Sequence, residues 1–204
     1  RVHCPTVLDF KTYDTDVTND KELVEYGCSE LAKADVLVGH YSTKFDYPFL
    51  QARLLYHDLP PMPPIPHVDT WRLARYKMRL QSNGLDNVSK FFECKDRKTP
   101  LAKSVWRRAQ AGYPDAIEYV KQHCIADVKV TEEVYEKTKV LSTTHPNLNL
   151  VNDRPDSCPI CSGGPMQKRG FNIARTGKKQ RYQCGACFGW SSGPPIRSCN
   201  ITIR

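Results

Sequence analysis

Two C-x-x-C turns leave this chain few ways to fold near its C-terminal end. They read Cys158-Pro159-Ile160-Cys161, then 22 residues, then Cys184-Gly185-Ala186-Cys187. Each turn points two sulfurs at one centre, and two turns on neighbouring hairpins supply the four soft ligands of a closed, tetrahedral, structural Zn2+ site. Cys158, Cys161, Cys184 and Cys187 are therefore the expected zinc ligands of a ribbon over residues 158–204. Gly163-Gly164, Thr176-Gly177 and Gly185 mark turns, and Gln180-Arg181-Tyr182-Gln183 alternates as a strand does. A pair of redox dithiols is the competing reading, but it lacks the strand-to-helix setting such motifs use. The other five of the nine cysteines are scattered, which fits metal-bound thiolates in a reducing compartment better than a disulfide framework.

Charge separates the chain in the same place. Residues 158–204 hold 8 Lys and Arg and no acid, whereas the preceding 157 residues hold 22 basic and 22 acidic side chains, so the whole formal charge of +8 resides in the ribbon. A tail without a carboxylate favours a polyanionic partner, with a merely soluble basic surface as the alternative. Lys168, Arg169, Arg175, Lys178, Lys179 and Arg181 interleave with Phe171, Tyr182 and Trp190. That mixture suits phosphate contacts plus base stacking on single-stranded DNA or RNA. Alternatively, Phe171 and Trp190 form the ribbon's small core. No apolar run approaches the roughly 18 residues of a membrane span. The start, Arg1-Val2-His3-Cys4-Pro5, has no signal pattern and reads as an internal start.

Residues 1–141 alternate short apolar runs with amphipathic stretches, the pattern of an α/β layer fold. The expected elements are a strand at Val2 to Leu8, a helix at Asp20 to Ala34 and a buried strand at Asp35 to Gly39. A helix at Phe45 to His57 follows, closed by the prolines between Pro60 and Pro66. Next come a strand at His67 to Thr70, helices near Trp71 to Arg79, Leu85 to Phe92 and Pro100 to Ala111, and a long helix from Pro114 to Val140. A linker is expected over residues 142–157.

Two segments of this module carry chemistry. In Gly39-His40-Tyr41-Ser42-Thr43-Lys44-Phe45-Asp46 a buried strand ends in a polar loop, where open α/β sheets place ligands, and Asp46 falls at a helix start. Capping the helix would explain Asp46 without chemistry. In the long helix His123 and Asp127 stand four apart on one face, where an Asp is costly unless paired or metal-bound. A surface His–Asp contact is the alternative.

Together these segments resemble the DEDD 3′-to-5′ exonucleases of the ribonuclease H-like fold. Phe45-Asp46-Tyr47-Pro48-Phe49-Leu50 is similar to that family's F-D-x-x-x-L, and His123 to Asp127 to its helical third motif. Val68-Asp69-Thr70 and Gly84-Leu85-Asp86-Asn87-Val88 look like the intervening segments. The layout with a trailing ribbon is similar to phage and bacterial exonuclease-like proteins, which implies the cytoplasm of a bacterial or phage-infected cell. The third motif combines the histidine of one subclass with the four-residue spacing of the other. The first motif, D-x-E, is absent: Asp9-Phe10-Lys11 has Lys where Glu is needed. Val2 to Leu8 then corresponds to the family's third strand, and a companion chain or missing segment would supply the two before it.

The resemblance implies a mixed sheet flanked by helices and two-metal phosphodiester hydrolysis with Mg2+ or Mn2+. Asp46 and Asp127 would be two of four carboxylate ligands, with His123 orienting or deprotonating the attacking water. A binding or assembly subunit that kept the fold and lost catalysis is the second expectation, and a nuclease with endonucleolytic preference is the third, since the fold does not fix exo against endo cleavage.

Overall fold

The computed structural model describes residues 19–150, 154, 156–175 and 177–196, with the side chain of Leu148 excepted. The expected strand at Val2 to Leu8 and the Asp9-Phe10-Lys11 segment lie outside the described residues. The chain divides into two compact units, Arg1–Glu136 and Lys137–Arg204. Among the described residues no helix is long and apolar enough to cross a membrane.

The first unit is built on a short parallel pair, β1 (Leu37–Gly39) and β2 (His67–Asp69), in register Leu37↔His67, Val38↔Val68 and Gly39↔Asp69. Helix α1 (Lys21–Leu31) precedes β1, and α2 (Asp46–Tyr56) lies between the two strands in sequence. Parallel strands need such a crossover, and it carries the chain back to start β2 at the same end as β1. Helices α3 (Thr70–Lys77), α4 (Leu85–Phe91), α5 (Lys103–Gln110) and α6 (Pro114–Thr138) follow, and a 3-10 turn at Lys139–Leu141 ends the run. The prolines from Pro60 to Pro66 contain no regular element, because a ring nitrogen has no hydrogen to give a helix or ladder.

Three apolar clusters hold the unit. Val24 and Cys28 of α1 pack with Leu54 and Met62, while Val68 packs with Leu73 and Tyr135. Ala74, Leu85, Val88 and Cys94 meet Val130 and Val134 of α6. α6 therefore carries a buried stripe at helical spacing, which explains how a 25-residue helix rich in charged residues is fixed in place. At the other edge Asp20 clamps α1 to α2: its carboxylate bonds Arg53 Nε at 2.9 Å and His57 Nε2 at 2.6 Å.

The second unit is an antiparallel sheet, β3 (Met166–Ala174), β4 (Gly177–Cys184) and β5 (Trp190–Ile196), in the order β3-β4-β5. Cys158, Ile160 and Cys184 form its core, with Val140 and Met166 packed against them. The segment expected as a linker contains a 3-10 turn at Leu148–Leu150, and Asn149 Nδ2 donates to Cys158 O at 2.7 Å. Phe171 and Trp190 are 39% and 40% exposed, so they are not the ribbon's core.

Candidate active site and metal centre

The parallel register brings Gly39 and Asp69 side by side at the carboxyl end of the strand pair. Open α/β sheets expose their ligand sites at that edge. A Cβ on Gly39 would lie 2.4 Å from Ser42 Oγ, so only glycine lets the loop turn back this tightly. Asp69 organises the loop. Its carboxylate accepts from the amides of Tyr41 at 2.9 Å and Thr43 at 3.1 Å and from the Thr43 hydroxyl at 2.6 Å. It also caps α3 through the Trp71 amide at 3.0 Å and the Arg72 amide at 3.4 Å. With five donors, Asp69 is a saturated structural carboxylate. The loop it holds includes Tyr41 at φ 68°, a left-handed conformation unfavourable for a tyrosine.

Asp46, the first residue of α2, stands just beyond this loop and is exposed. Phe45, not Asp46, is the N-cap residue, so capping does not account for the carboxylate. Next to the loop, Thr70 Oγ1 donates to Gly39 O at 3.0 Å and lies 2.9 Å from His40 Nδ1. The other ring nitrogen of His40, Nε2, is buried. Burial pushes the His40 pKa down, while the Asn83 carbonyl and the charges of Asp69 and Asp127 oppose that and Lys98 adds to it. His40 is thus within electrostatic reach of the group on α6.

On α6 the expected pair is present. His123, buried, places Nε2 3.5 Å from Asp127 Oδ2, and its Nδ1 is 2.6 Å from Thr99 Oγ1. Lys98 Nζ lies 3.4 Å from the same Asp127 oxygen. The second oxygen, Asp127 Oδ1, is buried and has no hydrogen-bond donor. A bare buried carboxylate oxygen is unfavourable unless a cation faces it, so this atom fits a divalent metal ligand. Neither Asp46 nor any other described Asp, Glu, His or Cys brings a ligand atom within 4.8 Å of both His123 and Asp127, so the expected convergence of Asp46 on Asp127 is not seen at ligand distance. Among the described residues only the four cysteines form a group of three or more ligand-type side chains whose ligand atoms lie within 4.8 Å of one another.

The cysteine centre is already shaped. Cys158 Sγ and Cys187 Sγ are 3.7 Å apart, as are Cys161 Sγ and Cys184 Sγ. Bonds of about 2.3 Å to a tetrahedral zinc require sulfur separations of about 3.8 Å, so the four-cysteine cluster could hold Zn2+. The amides of Ala186 and Gly189 point at Cys184 Sγ and Cys187 Sγ, at 3.3 and 3.4 Å, as donors that stabilise thiolate. Against the effect of burial, the Cys187 and Ala186 amides and neighbouring thiols hold Cys184 down to about 7. Burial and the three neighbouring thiols push Cys187 up to about 12. Gly164, at φ +70°, completes the first knuckle, since a Cβ there would be 2.7 Å from the Ala186 methyl.

The ribbon's cations do not form one patch. Side chains alternate along β4, and cross-strand partners share a face. Lys178 and Tyr182, with Lys168 and Phe171 opposite, occupy one face; Lys179 and Arg181, with Trp190, occupy the other. Lys178 Nζ sits 4.5 Å from the Phe171 ring centroid and Arg181 Cζ 5.5 Å from that of Trp190. Arg181, Trp190, Asn172, Ser191 and Ser192 line a hollow of about 200 Å³, and Arg181 Nε is buried there without a partner. Arg169 is held by Gln167 Oε1 at 2.7 Å, and Arg175 is exposed at the β3–β4 turn.

The RNase_H_2 family model, of the RNase H superfamily, matches residues 6–139, about two-thirds of the chain. The chain belongs to the RNase H superfamily. No curated protein matches it. Superfamily membership agrees with the mixed α/β architecture and implies nucleic acid as the substrate class and divalent ions as the usual cofactor. Asp46, His123 and Asp127 are the residues that motif spacing singles out in this unit, and the structure places His123 beside Asp127 on α6. Lys98 and Thr99 are not singled out by the sequence, because nothing in their neighbourhood announces that they meet α6.

Proposed function

We propose that this RNase H-like chain is a divalent-metal-dependent 3′-to-5′ exonuclease acting on single-stranded DNA or RNA. The observation that carries the reading is the buried, donor-free Asp127 Oδ1 beside His123. Asp127 and Asp46 would hold Mg2+ or Mn2+, which supplies water activation and charge neutralisation at the scissile phosphate. His123 keeps Asp127 in place and orients the attacking water or accepts its proton. Lys98, 3.4 Å from Asp127, adds positive charge where a phosphate would sit. A companion chain would supply the remaining ligands. The ribbon, closed by Zn2+ on its four cysteines, grips the strand through Lys168, Arg169, Arg175, Lys178, Lys179, Arg181, Tyr182 and Trp190.

One observation favours a second reading, a binding or assembly subunit without catalysis: among the described residues neither Asp46 nor any other carboxylate joins His123 and Asp127 at ligand distance. A 3′-labelled single strand incubated with magnesium or manganese separates the two. The exonuclease reading expects shortening from the 3′ end that disappears in both Asp46→Ala and Asp127→Ala. Shortening that survives both substitutions removes their metal roles, and a wild-type chain that binds the strand without shortening it selects the second reading.

A further inference from the structure

Helix α5 is the only α-helix wholly within the described residues that buries none of its side chains. Its sequence, Lys103-Ser104-Val105-Trp106-Arg107-Arg108-Ala109-Gln110, is nonetheless strongly two-sided. At 100° per residue, Lys103, Trp106, Arg107 and Gln110 fall within one arc of about 100°, and all four are exposed. Val105 and Ala109 occupy the opposite side and are half-buried.

The remaining cation is accounted for: Arg108 pairs with Asp115 at 2.6 Å and lies over the Tyr113 ring at 5.3 Å. Lys103 and Arg107 have no hydrogen-bond or ion-pair partner among the described residues, and Trp106 is 45% exposed. An exposed indole beside two unneutralised cations on one helix face is the cation-plus-aromatic combination that single-strand binders use.

Its position adds the second argument. The segment leading into α5 is fastened to α6 beside the candidate centre, by Thr99 on His123 at 2.6 Å, Lys98 on Asp127 at 3.4 Å, and the Tyr119 hydroxyl on Pro100 O at 2.6 Å. Lys103 follows Thr99 by four residues, so at most about 14 Å of chain separates the stripe from His123's partner. Residues 95–110 carry six cations and one acid. The stripe is about 10 Å long, which matches about three stacked bases.

We infer that the Lys103–Trp106–Arg107–Gln110 face of α5 is a track for single-stranded nucleic acid entering the Asp127 centre, with phosphates on the two cations and a base on the indole. This rests on the nucleic-acid reading above but not on hydrolysis. The test is fluorescence anisotropy of a labelled single strand of about 12 nucleotides, titrated across salt without added divalent ion.

The double variant Lys103→Glu/Arg107→Glu is expected to lose about tenfold in affinity and to flatten the salt slope by about 1.4, from two lost phosphate contacts. Trp106→Ala is expected to lose a similar factor through lost stacking. Circular dichroism should show all variants folded, since no α5 side chain is buried. Unchanged affinity and slope would overturn the track. So would an equal loss in Lys21→Glu/Lys33→Glu, at the start of α1 and just past its end, which makes the same charge change elsewhere. A wild-type chain that binds as expected but never cleaves defeats the exonuclease reading and leaves the track standing; one that binds no strand defeats both.

Discussion

Four thiols from two turns separated by 22 residues meet at sulfur separations of 3.7 Å in the C-terminal unit. In the N-terminal unit Asp46 and Asp127 are 81 positions apart in sequence, one exposed at the first turn of α2 and the other half-buried on α6. The first centre is assembled by local turns whose amides already favour thiolate. The acidic centre proposed for the first unit would instead depend on a parallel strand pair, a carboxylate-stapled loop and a long helix each finding its place. A zinc knuckle is therefore complete as soon as its hairpins form, whereas an acidic centre on a sheet edge needs the tertiary fold and further ligands.

That contrast can be tested in order of expected effect. Cys184→Ser should release the zinc and unfold the ribbon, because structural zinc contributes roughly 10 to 16 kcal/mol of apparent binding energy that is also folding energy. Zinc content by metal analysis checks it, and an unchanged stoichiometry would sink the ligand set. The α/β unit should keep its helical signal in the same variant, since its three apolar clusters share no residue with the ribbon core.

Asp127→Ala should lower cleavage by on the order of 10³-fold while leaving zinc content unchanged. Parallel loss of zinc would mean that the two centres are not independent. Asp69→Ala is a sharper probe of the difference, because Asp69 touches no expected ligand yet supports the whole loop before Asp46. Stranding its five donors should cost roughly 2 to 4 kcal/mol in denaturant unfolding and reduce cleavage without changing metal selectivity. An unaltered midpoint would show that the loop holds itself.

The smallest effect belongs to the α1–α2 clamp. Arg53's guanidinium, helped by His57 and opposed by burial, holds the Asp20 carboxyl down to about 2. A depressed carboxylate contributes stability that is present above its ordinary value of 3.8 and is lost as pH falls through about 2. Asp20→Asn should therefore cost about 1 kcal/mol near neutral pH, a cost that shrinks as pH falls from 3.8 through about 2 and vanishes below it, read from urea midpoints at several pH values. An equal cost at every pH value would remove the ion pair as the cause.

Much of the first unit was legible from period and punctuation. Seven helices or strands from β1 to α6 fall within a few residues of expectation, because prolines, glycines and apolar spacing act locally. The Phe45-Asp46 and His123–Asp127 segments were legible for the same reason. What escaped was everything set by chain crossing: Asp69 as the loop's staple, Lys98 and Thr99 against α6, His40 on Thr70, and the partition of the ribbon's cations between two faces. The exposed stripe of α5 belongs with them, since helical spacing alone would serve equally well to bury it.

By itself the sequence determined the thiolate centre, because four soft ligands at that spacing have few geometries that satisfy them all. It also determined the alternation of strands and helices, since backbone hydrogen bonding and side-chain period are local properties. Only the tertiary structure decided which carboxylate is saturated and which keeps a bare oxygen. Donor supply to Asp69 and Asp127 comes from residues up to 29 positions away, and no one-dimensional pattern records which of them arrive.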